Sequence, residues 1–117
     1  MAVIGNKEYP QQGPFAAFTE STLFNFVLAG SPTSYFGAQF VRVISDSGCI
    51  DYQVKVFSPT GSEIARKRSS VNAEDGYVEI NLGYFLINQG QNIQATVEHG
   101  DSANHYFSGW LVGLGQI

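Results

Sequence analysis

The sequence predicts an all-β protein: an antiparallel β-sandwich of jelly-roll type with about eight strands and an extended N-terminal arm. Three observations carry this. After residue 15 the apolar residues recur with a period of two, and no segment joins helix caps to a 3.6-residue apolar stripe. Clusters of Gly, Pro, Asn, Asp and Ser break the chain at short intervals. A length of 117 residues with 44% hydrophobic content suits one domain with one core.

Residues 1–14, MAVIGNKEYPQQGP, read as the arm, because Pro10 and Pro14 favour an extended course and only Ala2 to Ile4 make an apolar group. The jelly-roll domain is then expected over 15–117. TLFNFVLA (22–29) is rich in aromatic and branched residues and stops at the turn formers GSPTS (30–34). In FGAQFVRVIS (36–45), Phe40 and Arg42 share one face while Val41 and Val43 share the other. DSG (46–48) signals a turn. CIDYQVKVF (49–57) alternates, with Ile50, Tyr52, Val54 and Val56 on one face and Asp51, Gln53 and Lys55 on the other, as in a half-buried strand.

SPTG (58–61) is a turn in which Pro59 presets its own φ and Gly61 takes the position least tolerant of a side chain. SEIARKR (62–68) is polar enough for an edge strand, where charges discourage stray pairing. NAEDG (72–76) reads as a loop. YVEINL (77–82) points Val78, Ile80 and Leu82 inward, and LGYFLIN (82–88) has room for a helical turn. NQGQ (88–91) turns the chain, NIQATVE (92–98) points Ile93, Ala95 and Val97 inward, and HGDSAN (99–104) is a polar loop.

The final segment, HYFSGWLVGLGQI (105–117), has no residue with a full charge at neutral pH. Tyr106, Ser108, Trp110, Val112 and Leu114 fall on one face, and Phe107, Gly109, Leu111 and Gly113 on the other. A strand apolar on both faces is central in its sheet and covered twice. One cover is the second sheet. The other is expected to be a partner chain or the arm, with Gly109 and Gly113 leaving room for close approach. Tyr106, Phe107, Gly109, Trp110 and Leu111, with Val3, Ile4 and Tyr9 of the arm, are therefore the expected interface of a homo-oligomer, dimer or trimer.

Residues 76–113 resemble the C-terminal part of the jelly-roll domains of the complement-globular-head and tumour-necrosis-factor superfamily. The likeness rests on Phe107-Ser108-Gly109-Trp110-Leu111 and on the apolar strand Ile93 to Val97 after Gln89-Gly90-Gln91. It implies a last strand near the threefold axis of a trimer. In size, arm, low charge and lack of disulfides the chain is also similar to small cement (decoration) proteins of tailed-phage capsids. That similarity implies a structural protein of the virion, made in the host cytoplasm, whose partner is the major capsid protein or another protein surface.

Other functions find little support. A net charge of −4 gives no general pull towards nucleic acid, and the basic run Arg66 to Arg68 lacks interleaved aromatics. Charged residues are 14% of the chain, against roughly a quarter in an average domain, which suits a surface partly covered by a partner. Cys49 is the one cysteine, so no intrachain disulfide forms. No apolar run approaches the ~18 residues of a membrane helix, and the start lacks a signal peptide's basic and apolar regions. His99, Asp101 and His105 could ligate a metal, but a polar turn accounts for them as well, and no metal or cofactor is assigned. Neither paired carboxylates nor a nucleophile signature appears, so an enzyme is not expected. The alternative function is a carbohydrate- or receptor-binding module, using Asp101, Asn104 and Tyr106 with Asn72 and Asp75 of the other loop.

Overall fold

The computed structural model describes residues 2–46, 49, 51–69 and 77–117. Among them lie nine strands: β1 (Val3–Ile4), β2 (Lys7–Phe15), β3 (Ser21–Val27), β4 (Tyr35–Ser45), β5 (Tyr52–Phe57), β6 (Glu63–Arg68), β7 (Tyr77–Asn88), β8 (Asn92–His99) and β9 (His105–Gln116). They form two antiparallel sheets. The five-stranded sheet runs β1-β9-β4-β7, with β2 following β1 along the same edge of β9. The four-stranded sheet runs β3-β8-β5-β6.

The pairings nest: β2 with β9, β3 with β8, β4 with β7 and β5 with β6. Successive pairs fall in alternate sheets, and the β4–β9 and β5–β8 ladders join them. A doubled ribbon rolled up in this way is a jelly roll, so the expected fold class is the observed one.

The alternation read in the sequence sets the core. Val54 and Val56 of β5 face Val97 and Ala95 of β8 across the ladder, with Tyr52 opposite His99, and Ile93 lies further along β8 opposite Phe26 of β3, all buried. From the other sheet come Phe36, Val41 and Val43 of β4 and Phe107 and Leu111 of β9. Each large apolar side chain removed from water contributes about 1.5–3 kcal/mol. Edge-to-face contacts between Tyr52 and Phe107 (5.1 Å between ring centroids) and between Phe26 and Phe36 (5.2 Å) lock the sheets together.

Three expectations need correction. Within residues 2–14, β1 and β2 lie beside β9 as edge strands and do not cover its face. Register shifts between Tyr9 and Gln12 and between Gln12 and Phe15 let a segment with two prolines stay paired. Ile4, Tyr9 and Phe15 pack against the core, with the Tyr9 ring stacked 4.5 Å from that of Phe24. Second, residues 82–88 belong to β7 throughout. The anomaly there is a kink: Gly83 and Tyr84 take positive φ (59° and 63°), and Asn81 Oδ1 accepts the Gly83 N–H at 2.8 Å. Third, Gly109 and Gly113 face inward, and a side chain at either would meet Leu23 and Phe24, or Phe36. The protein's own core occupies the room they leave.

Within the polar segment at 62–68, Glu63–Arg68 form an edge strand, β6, which among the described residues pairs only with β5. Its arginines are engaged, Arg66 with Glu63 and Arg68 with Asp51, each at 2.7 Å. The expected loop at 72–76, Ile50, and most of the turn at 46–48 lie outside the described residues.

Candidate functional site

Two features stand out. The first is the outer face of the five-stranded sheet. Alternation along β9 sends Tyr106, Ser108, Trp110, Val112 and Leu114 outward. The β4 register places Phe40 beside Val112, Gly37 beside Leu114 and Arg42 beside Trp110. Across β4, Leu86 of β7 stands opposite Gly37, and the kink at Gly83 lays the Tyr84 ring over Gly37, where a β-carbon would collide with it. Leu114, Leu86 and Tyr84 are each more than half exposed, at 54%, 51% and 51%. On β4 and β7 the charges cancel locally, while Glu8 of β2 stands exposed beside Trp110 with no ion-pair partner among the described residues. Arg42 Nη2 donates to Glu79 Oε2 at 2.8 Å, and its guanidinium sits 5.6 Å from the Phe40 ring and 5.4 Å from that of Tyr77. The result is a neutral face, rich in aromatic and aliphatic side chains, on three adjacent strands.

The second feature lies at the end of the sandwich where β8 ends and β9 begins. Cys49, from the β4–β5 connection, meets His99 and His105, with ligand-capable atoms all within 4.8 Å of one another. All three residues are buried, at 6%, 2% and 7% exposure. His99 Nε2 is 2.6 Å from the Phe15 carbonyl oxygen, and His99 Nδ1 accepts the Asp101 N–H at 3.2 Å. His105 Nδ1 is 2.6 Å from Asp46 Oδ1, while its Nε2 is 3.1 Å from Asp101 Oδ2. Asp46 also accepts the Tyr106 N–H through Oδ2, at 2.8 Å, which fixes the carboxylate. Burial, then the charge of Asp101 and its hydrogen bond, push the Cys49 thiol up to about 12. A metal ion, which displaces the proton, is the chemistry these donors fit.

The structure divides the interface residues expected from sequence. Tyr106 and Trp110 lie on the outer face, and Val3 is 67% exposed beside Gln116. Phe107, Gly109 and Leu111 point the other way and are buried in the core, while Ile4 and Tyr9 pack against it. Phe40, Tyr84, Leu86, Val112 and Leu114 complete the outer face. Alternation alone could have found Val112 and Leu114, whereas the kink in β7 hid Tyr84 and Leu86. Of the alternative glycan set, Asn104 and Tyr106 are exposed, but Asp101 turns inward and its Oδ2 is buried. Asn72 and Asp75 lie outside the described residues. His99, Asp101 and His105 do come together, and the further donor, Cys49, is remote in sequence and local only in the fold. No known protein-family model matches the chain, and no curated protein matches it in sequence.

Proposed function

We propose that this chain is a structural binding module that self-associates through the outer face of its five-stranded sheet and, as an oligomer, cements a protein shell, most simply a phage capsid bound at its major capsid protein. The observation that carries this reading is the neutral aromatic face of β9, β4 and β7. Contiguous exposed apolar surface of this kind marks interaction sites. A second copy is the favoured occupant. The face is mainly apolar, its charges being the Arg42–Glu79 pair and Glu8, which stands beside Trp110 at the β2 edge, and identical faces offer matching apolar surface under twofold symmetry. Face-to-face contact of this kind gives a dimer, whereas the likeness of residues 107–111 to the last strand of threefold heads points to a trimer, in which the face meets a different patch of the next copy; the sedimenting mass separates the two.

The test uses two substitutions on opposite sides of β9. Leu114→Asp, on the outer face, is expected to keep a native circular dichroism spectrum and sediment as a monomer. Leu111→Asp is expected to unfold the chain, because it buries a charge with no partner, at several kcal/mol. Shells lacking this protein are then mixed with wild-type chain or with Leu114→Asp, and their rupture temperature is measured. Stabilisation by the wild type and none by the variant is the expected result. A monomeric wild type at tens of micromolar, or no effect on shells together with specific glycan binding by the free chain, would overturn the reading in favour of the sugar-binding module.

A further inference from the structure

We propose that Cys49, His99, Asp101 and His105 form a binding site for a single zinc-type divalent transition-metal ion, which fastens the end of the sandwich. One thiolate, two imidazoles and one carboxylate are the donor set that tetrahedral zinc takes. The hydrogen bonds around the imidazoles prepare them for it. A carbonyl oxygen only accepts, so His99 Nε2 must carry the proton it gives to Phe15, leaving a lone pair on Nδ1. His105 Nδ1 donates to Asp46, which leaves Nε2 facing Asp101 Oδ2. Each imidazole thus has an acceptor behind it and an unprotonated nitrogen in front, the arrangement that orients metal-binding histidines, although at His99 the ion must displace the 3.2 Å hydrogen bond that Nδ1 accepts from the Asp101 N–H.

The inward oxygen of the partly exposed Asp101 carboxylate supplies a further sign. Asp101 Oδ2 is removed from solvent and makes no hydrogen bond of good geometry, although it lies 3.1 Å from His105 Nε2. A carboxylate oxygen and an imidazole lone pair at that distance repel unless a cation stands between them. A proton on His105 or a metal ion can fill that role, and the presence of Cys49 and His99 alongside favours the metal. The Cys49, His99 and His105 ligand atoms, spread over as much as 4.8 Å, must draw in to about 3.5 Å, given Zn–S near 2.3 Å and Zn–N near 2.0–2.1 Å, and Asp101 joins them from its place 3.1 Å from His105 Nε2. Cys49 and Asp101 sit on connections between strands, where side-chain rotation achieves this without disturbing a ladder. Their partly exposed neighbours give the ion a route inward: the Asp46 side chain is 32% exposed and that of Asp101 25%. As the sulfur–metal bond forms, the thiol proton leaves to solvent. The bound ion would tie the β4–β5 connection to the end of β8, the 99–105 loop and the start of β9.

The full chain, stripped with a chelator and dialysed, is titrated with Zn²⁺ by calorimetry and with Co²⁺ by absorption. One equivalent of zinc, a rise in melting temperature on zinc addition, and intense tetrahedral cobalt bands with a thiolate-to-metal charge-transfer band are expected. Cys49→Ser should abolish the charge-transfer band. Asp46→Asn, which alters only the support behind His105, should weaken zinc binding about 10–100-fold without changing the stoichiometry. If Cys49→Ser does not fold, the wild-type cobalt spectrum decides: weak octahedral bands without charge transfer overturn the site. Zinc lost on dialysis, with a melting temperature indifferent to zinc and chelator, also overturns it and leaves a hydrogen-bonded cluster around a protonated His105.

Discussion

Tyr52 shows how one buried polar atom sets a condition on the whole fold. Its ring fills the core, and its hydroxyl donates to the Val43 carbonyl at 3.3 Å. Burial, reinforced by the nearby Cys49, pushes the phenol from 10.0 up to about 12. The folded state therefore holds this proton more tightly than the unfolded state does. The stability so gained is complete below pH 10 and is lost as pH climbs through about 12. Cys49, raised from 9.0 to about 12, acts in the same direction over a window that opens one unit lower. The urea midpoint is thus expected to hold steady to pH 9 and then fall steeply. The phenol's share is on the order of 2–3 kcal/mol. Tyr52→Phe should flatten part of that fall while lowering stability at pH 7 by about 1 kcal/mol through the lost hydrogen bond. An unchanged alkaline slope in the variant would count against this account.

Among the elements, β2 is the one whose role differs most from its sequence. Proline, glutamine and glycine mask it, yet it completes the edge of β9 and lays Tyr9 on Phe24. Deleting residues 1–14 should therefore lower the melting temperature by several degrees and weaken packing over Phe24, at a cost of roughly 2–4 kcal/mol. A deletion variant melting with the intact chain would show the edge to be dispensable. The contrast with β5 explains what was legible. In β5 every second residue is apolar, one face is buried, and the register shift near Phe57 adds its extra residue on β6, so the period of β5 is intact and its face assignments are read directly. In β2 two register shifts break the period, and in β7 the positive φ at Gly83 and Tyr84 reverses the side-chain order midway. On β9 the two faces were separated correctly, but a face of Phe, Gly and Leu looks apolar whether it meets the core or a partner. Large core aromatics opposite the glycines decide it, and those come from other strands. The Cys49–His99–His105 cluster was illegible for a related reason: only the end-on meeting of the β4–β5 connection with β8 and β9 unites it.

For the whole molecule, the balance of charge sets how its surface should answer to salt. The ion pairs Arg42–Glu79, Lys55–Glu20, Arg66–Glu63 and Arg68–Asp51 are partly exposed, so each is worth little and is easily screened. In the proposed oligomer the outer face of the five-stranded sheet would be held instead by apolar contact. Self-association is therefore expected to persist, or tighten slightly, between low salt and about 0.5 M, where the Debye length has fallen below about 5 Å. Dissociation with rising salt, seen by sedimentation, would point to a charged interface elsewhere.

The nesting of the strand pairs also fixes the order in which the chain can come together. β5 and β6 are joined by the short turn at 58–62, so their ladder closes at little entropic expense. Each pair further out encloses all those inside it, and Lys7 must find Leu111 across nearly the full chain. Topologies dominated by such distant partners fold in milliseconds to seconds. Structure should therefore spread outward from the middle of the sequence, and hydrogen-exchange pulse labelling during refolding should protect β5 and β6 amides first and those of β2 last. Simultaneous protection of both would show that the ribbon does not roll up in stages.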